Sequence, residues 1–213
     1  MRYASVTMET HPLPAIKTST MKPFAKGDIF LGCSYLNNRD DDHMGEGRIL
    51  QFDSEWRPKG TLYVEGTRYL LVGNRFAPDG TLWSFDCHDH IAVTVGTDGK
   101  QKEAWDSGRS FGSVSFARDG SRYFGEYFIG KEIWKGTSAK VLADGTLGAG
   151  DIYQYSADRR PLKVFEAENA PEPTRFKGVT HHSLHPSGEI IAYTTETARR
   201  PDPIALSARL AHN

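Results

Sequence analysis

At 213 residues with 38% hydrophobic content, the chain has room for one substantial core or two small ones. Its formal net charge of −1, with lysines and arginines scattered rather than striped, excludes a nucleic-acid or anionic-membrane binder held by bulk charge. Two cysteines, Cys33 and Cys87, are too few for a disulfide scaffold and fit a reducing compartment; no apolar run reaches secretory or membrane-spanning length, so a soluble cytoplasmic protein is expected.

Residues 1–23 are polar, carry Pro12 and Pro14, and read as an extended arm. Pro23-Phe24-Ala25-Lys26-Gly27-Asp28-Ile29-Phe30 then predicts a strand pair about a tight turn, continuing through Leu31-Gly32-Cys33. Residues 37–47 are polar and glycine-punctuated and predict a loop. Arg48 to Asp53, a turn through Trp56-Arg57-Pro58-Lys59-Gly60, and Thr61 to Val64 predict a second hairpin.

The first phrase returns three times. Asn74-Arg75-Phe76-Ala77-Pro78-Asp79-Gly80-Thr81-Leu82-Trp83 is its clearest copy, followed by Ser115 to Tyr123 about Asp119-Gly120 and by Ser183 to Ile191 about Ser187-Gly188. The second hairpin returns as His90 to Val95 turning at Asp98-Gly99, and as Asp151 to Tyr155 turning at Asp158-Arg159-Arg160-Pro161. Residues 136–150 are rich in small side chains and read as an inserted loop; no stretch carries a capped 3.6-residue apolar period, so no substantial helix is expected.

Each unit is therefore a four-stranded antiparallel meander, and Gly80 and Gly120 stand 40 residues apart, close to the length of a propeller blade. Such a sheet cannot bury both faces unless neighbours stack on it. The expected fold is all-β, a β-propeller with about four blade starts over residues 24–198 and a tail at 199–213. After Gly188 too little strand-forming sequence remains for a full fourth blade. Either the arm supplies outer strands and closes a small ring, or the chain forms part of a larger ring whose open blade edges invite self-association.

Phe76-Ala77-Pro78-Asp79-Gly80-Thr81-Leu82-Trp83, with Ile49-Leu50-Gln51-Phe52-Asp53-Ser54-Glu55-Trp56 in the other hairpin, resembles the repeats of NHL-type six-bladed propellers. It is similar also to the regucalcin and gluconolactonase-like family and to the streptogramin-lyase-like family. The lactonase-like resemblance implies a divalent metal (calcium, magnesium or zinc) in the central channel and the opening of sugar lactones. Val72 occupies the place of its channel asparagine, and Asn74 stands two positions closer to Phe76 than that pattern wants. The lyase-like resemblance implies a histidine at the start of an inner strand, where Thr180 stands beside His181 and His182.

From the residues themselves, Asp86, Glu126 and Glu196 close the second strands of their units, where matching positions could converge on a cation; strand-end capping is the plainer alternative. His181 and His182 alternate faces at an inner-strand start, so one of them could serve as general base or ligand, or both could bond to neighbouring blades. His88, in Cys87-His88-Asp89-His90, is a further candidate ligand on what is otherwise an exposed turn. Asp40, Asp41, Asp42 and Glu46 are an acidic run on a loop, and Trp56, Trp83, Trp105 and Trp134 are expected between blades. Two functions fit: a small-molecule hydrolase or lyase acting with a divalent metal at the channel mouth, or a non-catalytic module binding a protein or carbohydrate.

Overall fold

The computed structural model describes residues 19–36, 45–64, 67, 71–86, 89–126, 151–166, 179–185, 187 and 190–194. Every regular element among them is a β-strand, and among the described residues no helix is long and apolar enough to cross a membrane. The first sheet holds β1 (Ile29–Leu36), β2 (Gly45–Phe52) and β3 (Pro58–Tyr63), paired in that order. The second holds β4 (Leu71–Phe76), β5 (Leu82–Asp86), β6 (Ile91–Val95) and β7 (Trp105–Asp106). The third holds β8 (Phe111–Phe116), β9 (Arg122–Glu126), β10 (Ile152–Tyr155) and β11 (Pro161–Phe165), and the fourth β12 (Val179–Leu184) and β13 (Ile190–Thr194).

All pairings are antiparallel meanders, and the leading strands β4, β8 and β12 pack against one another in chain order. This is the radial stacking of a β-propeller. Strand β2 begins at Gly45, so the loop expected over residues 37–47 is shorter than its composition suggested.

The sheets share one packing rule. Antiparallel partners point to the same side, so each sheet has a front and a back. Ile49 and Leu62 on the front of the first sheet pack on Leu82, Val93 and Val95 on the back of the second. Trp83, Phe85 and Ala92 on the front of the second pack on Phe124, Tyr153 and Tyr155 on the back of the third. Phe124 sits 5.9 Å from Trp83 and 6.1 Å from Phe85, ring centroid to centroid. The core is thus a series of seams between sheets, and burial of such rings is the main stabilising term.

The seams are narrow near the axis. A Cβ on Gly73 of β4 would lie 1.9 Å from the Gly112 carbonyl oxygen of β8, and Gly73 has φ +66. Only glycine meets both demands. Each leading strand carries one extra residue there: the register shifts between Val72 and Arg75, between Phe111 and Ser113, and between Val179 and His181. A bulge of this kind bends the strand entering the axis.

By position after the turn, β1 corresponds to β5 and β9, the second strands. Residues 19–24 do not form the leading strand before it. Thr20 N–H donates to the Thr61 carbonyl at 2.8 Å, Thr61 N–H donates to Thr20 Oγ1 at 3.0 Å, and Phe24 N–H donates to the Thr97 carbonyl at 2.8 Å. This stretch therefore runs from the outer strand of the first sheet to a turn of the second. Buried Gln51 ties it down, accepting from Lys22 N–H at 2.9 Å and donating to Asp28 at 2.7 Å; Lys59 Nζ lies 2.6 Å from the same carboxylate.

Candidate functional site

The two ends of the propeller differ. At one end the connections are tight turns with repeated bonding. Ala77 N–H donates to the Thr81 carbonyl and Ala117 N–H to that of Ser121, while Asp79 and Asp119 each accept from the backbone N–H two residues on at 2.9 Å. The turns at 53–57, 96–100 and 156–160 close the same end in the same way. The other end receives the connections between β1 and β2, β9 and β10, β3 and β4, and β11 and β12, among them the two longest in the chain, 127–151 and 166–178. Function in such scaffolds concentrates where long connections meet a rigid sheet.

At that end, the seam between the second and third sheets gathers ionisable groups. Glu126 closes β9, and Asp151 stands opposite it at the entry to β10, its carbonyl accepting from Glu126 N–H at 3.0 Å. Tyr153, one pleat further on the same side, donates its hydroxyl to Glu126 Oε2 at 3.2 Å. Arg109, in the connection from β7 to β8, lies over the Tyr153 ring at 4.2 Å and donates from Nη1 to the Tyr153 hydroxyl at 2.7 Å. The same nitrogen is 3.5 Å from Glu126 Oε1. Burial, with the negative charge of Glu126 beside it, pushes the Tyr153 hydroxyl well above the usual tyrosine range, against the pull of Arg109. It is a neutral donor.

Arg109 is held by the backbone around it. Ser107 N–H donates to the His90 carbonyl at 3.0 Å, and the Ser107 hydroxyl, with one proton to give, lies 3.0 Å from that carbonyl and 2.9 Å from the Arg109 carbonyl. His90 takes φ 61, an uncommon conformation for a residue with a side chain. This ties the β5–β6 connection to the β7–β8 connection. Two buried polar atoms in this unit, His90 Nε2 and Ser110 Oγ, have no hydrogen-bond partner among the described residues, and Ser110 is only 2% exposed.

Asp86 and Glu126 hold equivalent positions, paired with Leu71 and Phe111 at the starts of their leading strands. Both are buried. Each lies on the back of its own sheet, in a different seam, and Asp86 Oδ1 accepts from Asp89 N–H at 3.1 Å as a strand-end cap. The register equivalent in the fourth sheet is Thr194, opposite Val179; Glu196, His88, Cys87 and Trp134 lie outside the described residues. His181 belongs to β12, and its side chain lies outside the description.

His182 is buried between the third and fourth sheets. Its Nε2 is 2.8 Å from the Tyr123 carbonyl oxygen and its Nδ1 2.8 Å from Ser113 Oγ. A carbonyl only accepts, so Nε2 carries a proton and donates it to Tyr123, while Nδ1 pairs with the Ser113 hydroxyl. Of the tryptophans, Trp83 and Trp105 pack in the second seam, while Trp56 is exposed at a turn, contrary to expectation.

Among the described residues no group of three His, Cys, Asp or Glu side chains is placed to hold a metal ion. Glu126 faces a guanidinium, which repels a cation. The described residues alone do not fit the divalent metal that the lactonase-like resemblance implies.

Arg109, Ser110, Asp151 and Tyr153 were not singled out from the sequence. Their signal is positional: Tyr153 and Asp151 stand where the first and second sheets carry Leu50 and Val93, and Arg48 and Ile91, so among these three sheets the third places a phenol and an acid beside Glu126.

No family profile and no curated protein matches the chain. Among solved structures, virginiamycin B lyase from Staphylococcus aureus aligns with TM-score 0.44 and 13% identity over 73% of this chain and 50% of that one. A calcium-binding regucalcin from Agrobacterium tumefaciens aligns with TM-score 0.48 and 14% identity over 85% of this chain and 54% of that one. A streptogramin B lyase aligns with TM-score 0.41 and 12% identity over 76% and 51%. These belong to the propeller groups that the repeat phrases resemble, and the chain spans about half the length of each. At such identity the likeness is one of fold alone.

Proposed function

We propose that the end of the propeller bearing the long connections binds a small molecule in the seam between the second and third sheets and acts on it by hydrolysis or elimination. The observation that carries this reading is the pair of buried, unpartnered atoms His90 Nε2 and Ser110 Oγ on the two connections that Ser107 ties together, one of which also carries Arg109. A buried polar atom without a partner costs about 1–3 kcal/mol. A ligand carrying hydroxyl or carbonyl oxygens would offset that cost. Arg109, one-third exposed, stands ready to support negative charge growing on a carbonyl oxygen. Glu126 accepts or returns a proton, and the Tyr153 hydroxyl stabilises its ionised form. Participation of a divalent metal would require Glu196 or His88 to join Asp86.

The test is a panel of lactones, esters and carboxylated small molecules, screened by thermal shift and by product formation with and without calcium, magnesium and zinc. Ser110→Ala should abolish the thermal shift, and Arg109→Gln should lower kcat by about 10²-fold. A wild-type protein indifferent to every compound, or variants that behave as wild type, would overturn the reading.

The second reading is a non-catalytic binding module. It is favoured by His182, whose ring nitrogens both engage the third sheet rather than a substrate. In that case the same screen gives thermal shifts without product.

A further inference from the structure

At its tight-turn end, the seam between the second and third sheets carries two guanidiniums. Arg122 opens β9 and lies over the Trp83 ring, 5.0 Å from its centroid. Arg159, in the turn between β10 and β11, lies over the Trp105 ring at 5.5 Å. Both indoles pack on the same ring, that of Phe124, with centroids 5.9 and 5.2 Å away. Tyr155 completes the corner, as the register partner of Arg122 with its ring 5.4 Å from Trp105. Both arginines are partly buried.

Stacking on an indole accounts for each guanidinium singly but not for the two together. Burial and the neighbouring charge of Arg159 pull Arg122 below the usual arginine range, and Asp79 only partly opposes them. An arginine stays charged at neutral pH all the same, so the repulsion persists. Among the described residues neither side chain makes a hydrogen bond or an ion pair. The acids of the two turns are already engaged, Asp79 by the Thr81 N–H at 2.9 Å and Asp158 by Arg160 Nε at 2.7 Å. A guanidinium lying on a ring keeps its in-plane N–H donors for another partner.

We infer that this corner is an anion site, in which Arg122 and Arg159 together bind a phosphate group. A carboxylate has two oxygens in one plane and is satisfied by a single guanidinium. A phosphate group brings close to two negative charges and three acceptor oxygens, which suits two guanidiniums and cancels their repulsion. Trp83 and Trp105 already hold both heads in place, so little side-chain freedom is lost on binding. Arg122 and Glu126 stand at opposite ends of β9, so the site is separate from the one around Arg109 and does not rest on the chemistry proposed there.

The experiment is a titration of the full chain with inorganic phosphate at constant ionic strength, read by calorimetry and by the unfolding midpoint. Phenyl phosphate and acetate are run in parallel, and far-ultraviolet circular dichroism checks the fold of each variant. Phosphate should bind saturably and raise the midpoint, and acetate should do neither. Arg122→Gln and Arg159→Gln should each weaken phosphate at least about 10-fold. Arg160→Gln, at the exposed neighbour paired with Asp158, should bind as the wild type does. Should Arg122→Gln fail to fold, Arg159→Gln, in a turn, decides alone. Phenyl phosphate binding more tightly than the free ion marks a phosphate ester as the ligand, and equal or weaker binding marks the ion itself. A wild type that binds neither phosphate overturns the inference. So does acetate matching phosphate, a folded glutamine variant of either stacked arginine with unaltered affinity, or an equal loss in Arg160→Gln, which would mark nonspecific charge attraction.

Discussion

His182 Nε2 donates to the Tyr123 carbonyl at 2.8 Å while its Nδ1 lies 2.8 Å from Ser113 Oγ, so one imidazole pins the fourth sheet to two strands of the third. Substitution by phenylalanine keeps the ring but leaves a buried hydroxyl and a buried carbonyl without their partner. His182→Phe should cost about 1–3 kcal/mol, read from urea unfolding. A variant with unchanged stability but no turnover would instead return His182 to a proton-transfer role.

Asp28 makes the first sheet sensitive to acid. Burial raises its carboxyl, but the bonds from Lys59, Ala25 N–H and Gln51 outweigh this and hold it below its ordinary value of 3.8. A carboxyl lowered on folding stabilises the protein fully above its unfolded value, and that stability is lost as pH falls through the folded one. Stability should therefore decline below about pH 4, and Asp28→Asn should be less stable at neutral pH with a flatter acid limb. Equal acid limbs in the two proteins would refute this.

Tyr153 predicts the opposite limb. Its hydroxyl is raised above the ordinary 10.0, so its contribution is intact below that pH and shrinks as pH rises towards the folded value. In a phenolate absorbance titration, one tyrosine should ionise only as the protein unfolds, and Tyr153→Phe should remove that late component. Ionisation of every tyrosine near the ordinary value would contradict the buried cluster.

Gly73→Ala places a methyl against the Gly112 carbonyl and forces a left-handed conformation on alanine. About 3 kcal/mol or more should be lost in thermal or urea unfolding. Gly108→Ala supplies the contrast, since Gly108 shares the left-handed conformation (φ +63) but has nothing within 4 Å of an added Cβ. Equal losses would mean that backbone strain alone, and not the close approach of β4 to β8, fixes glycine at position 73.

The repeats were legible because their turns depend on local chemistry. Asp79-Gly80 and Asp119-Gly120 set the strand boundaries, and the alternation of Leu82, Ser84 and Asp86 against Trp83 and Phe85 encodes which side meets which neighbour. The equivalence of Asp86 with Glu126 could be counted from those glycines. What could not be counted was the extra residue entering each leading strand, which turns His182 towards the third sheet. Nor did the first turn announce its missing strand: Pro23 to Phe30 predicts a strand pair, yet Phe24 bonds to the Thr97 carbonyl and Thr20 to Thr61 instead of β1. The Arg109 and Tyr153 pair joins residues 44 apart in sequence and was invisible to any local pattern.

Because the described sheets pack each on the next, cooperativity in this protein passes from seam to seam and not through a common centre. Melting should then begin at the flanks and travel inward, with the amides of β5 and β9 the last to exchange with solvent. Lengthening the array by a further sheet would raise the stability of its interior without altering any contact already made there.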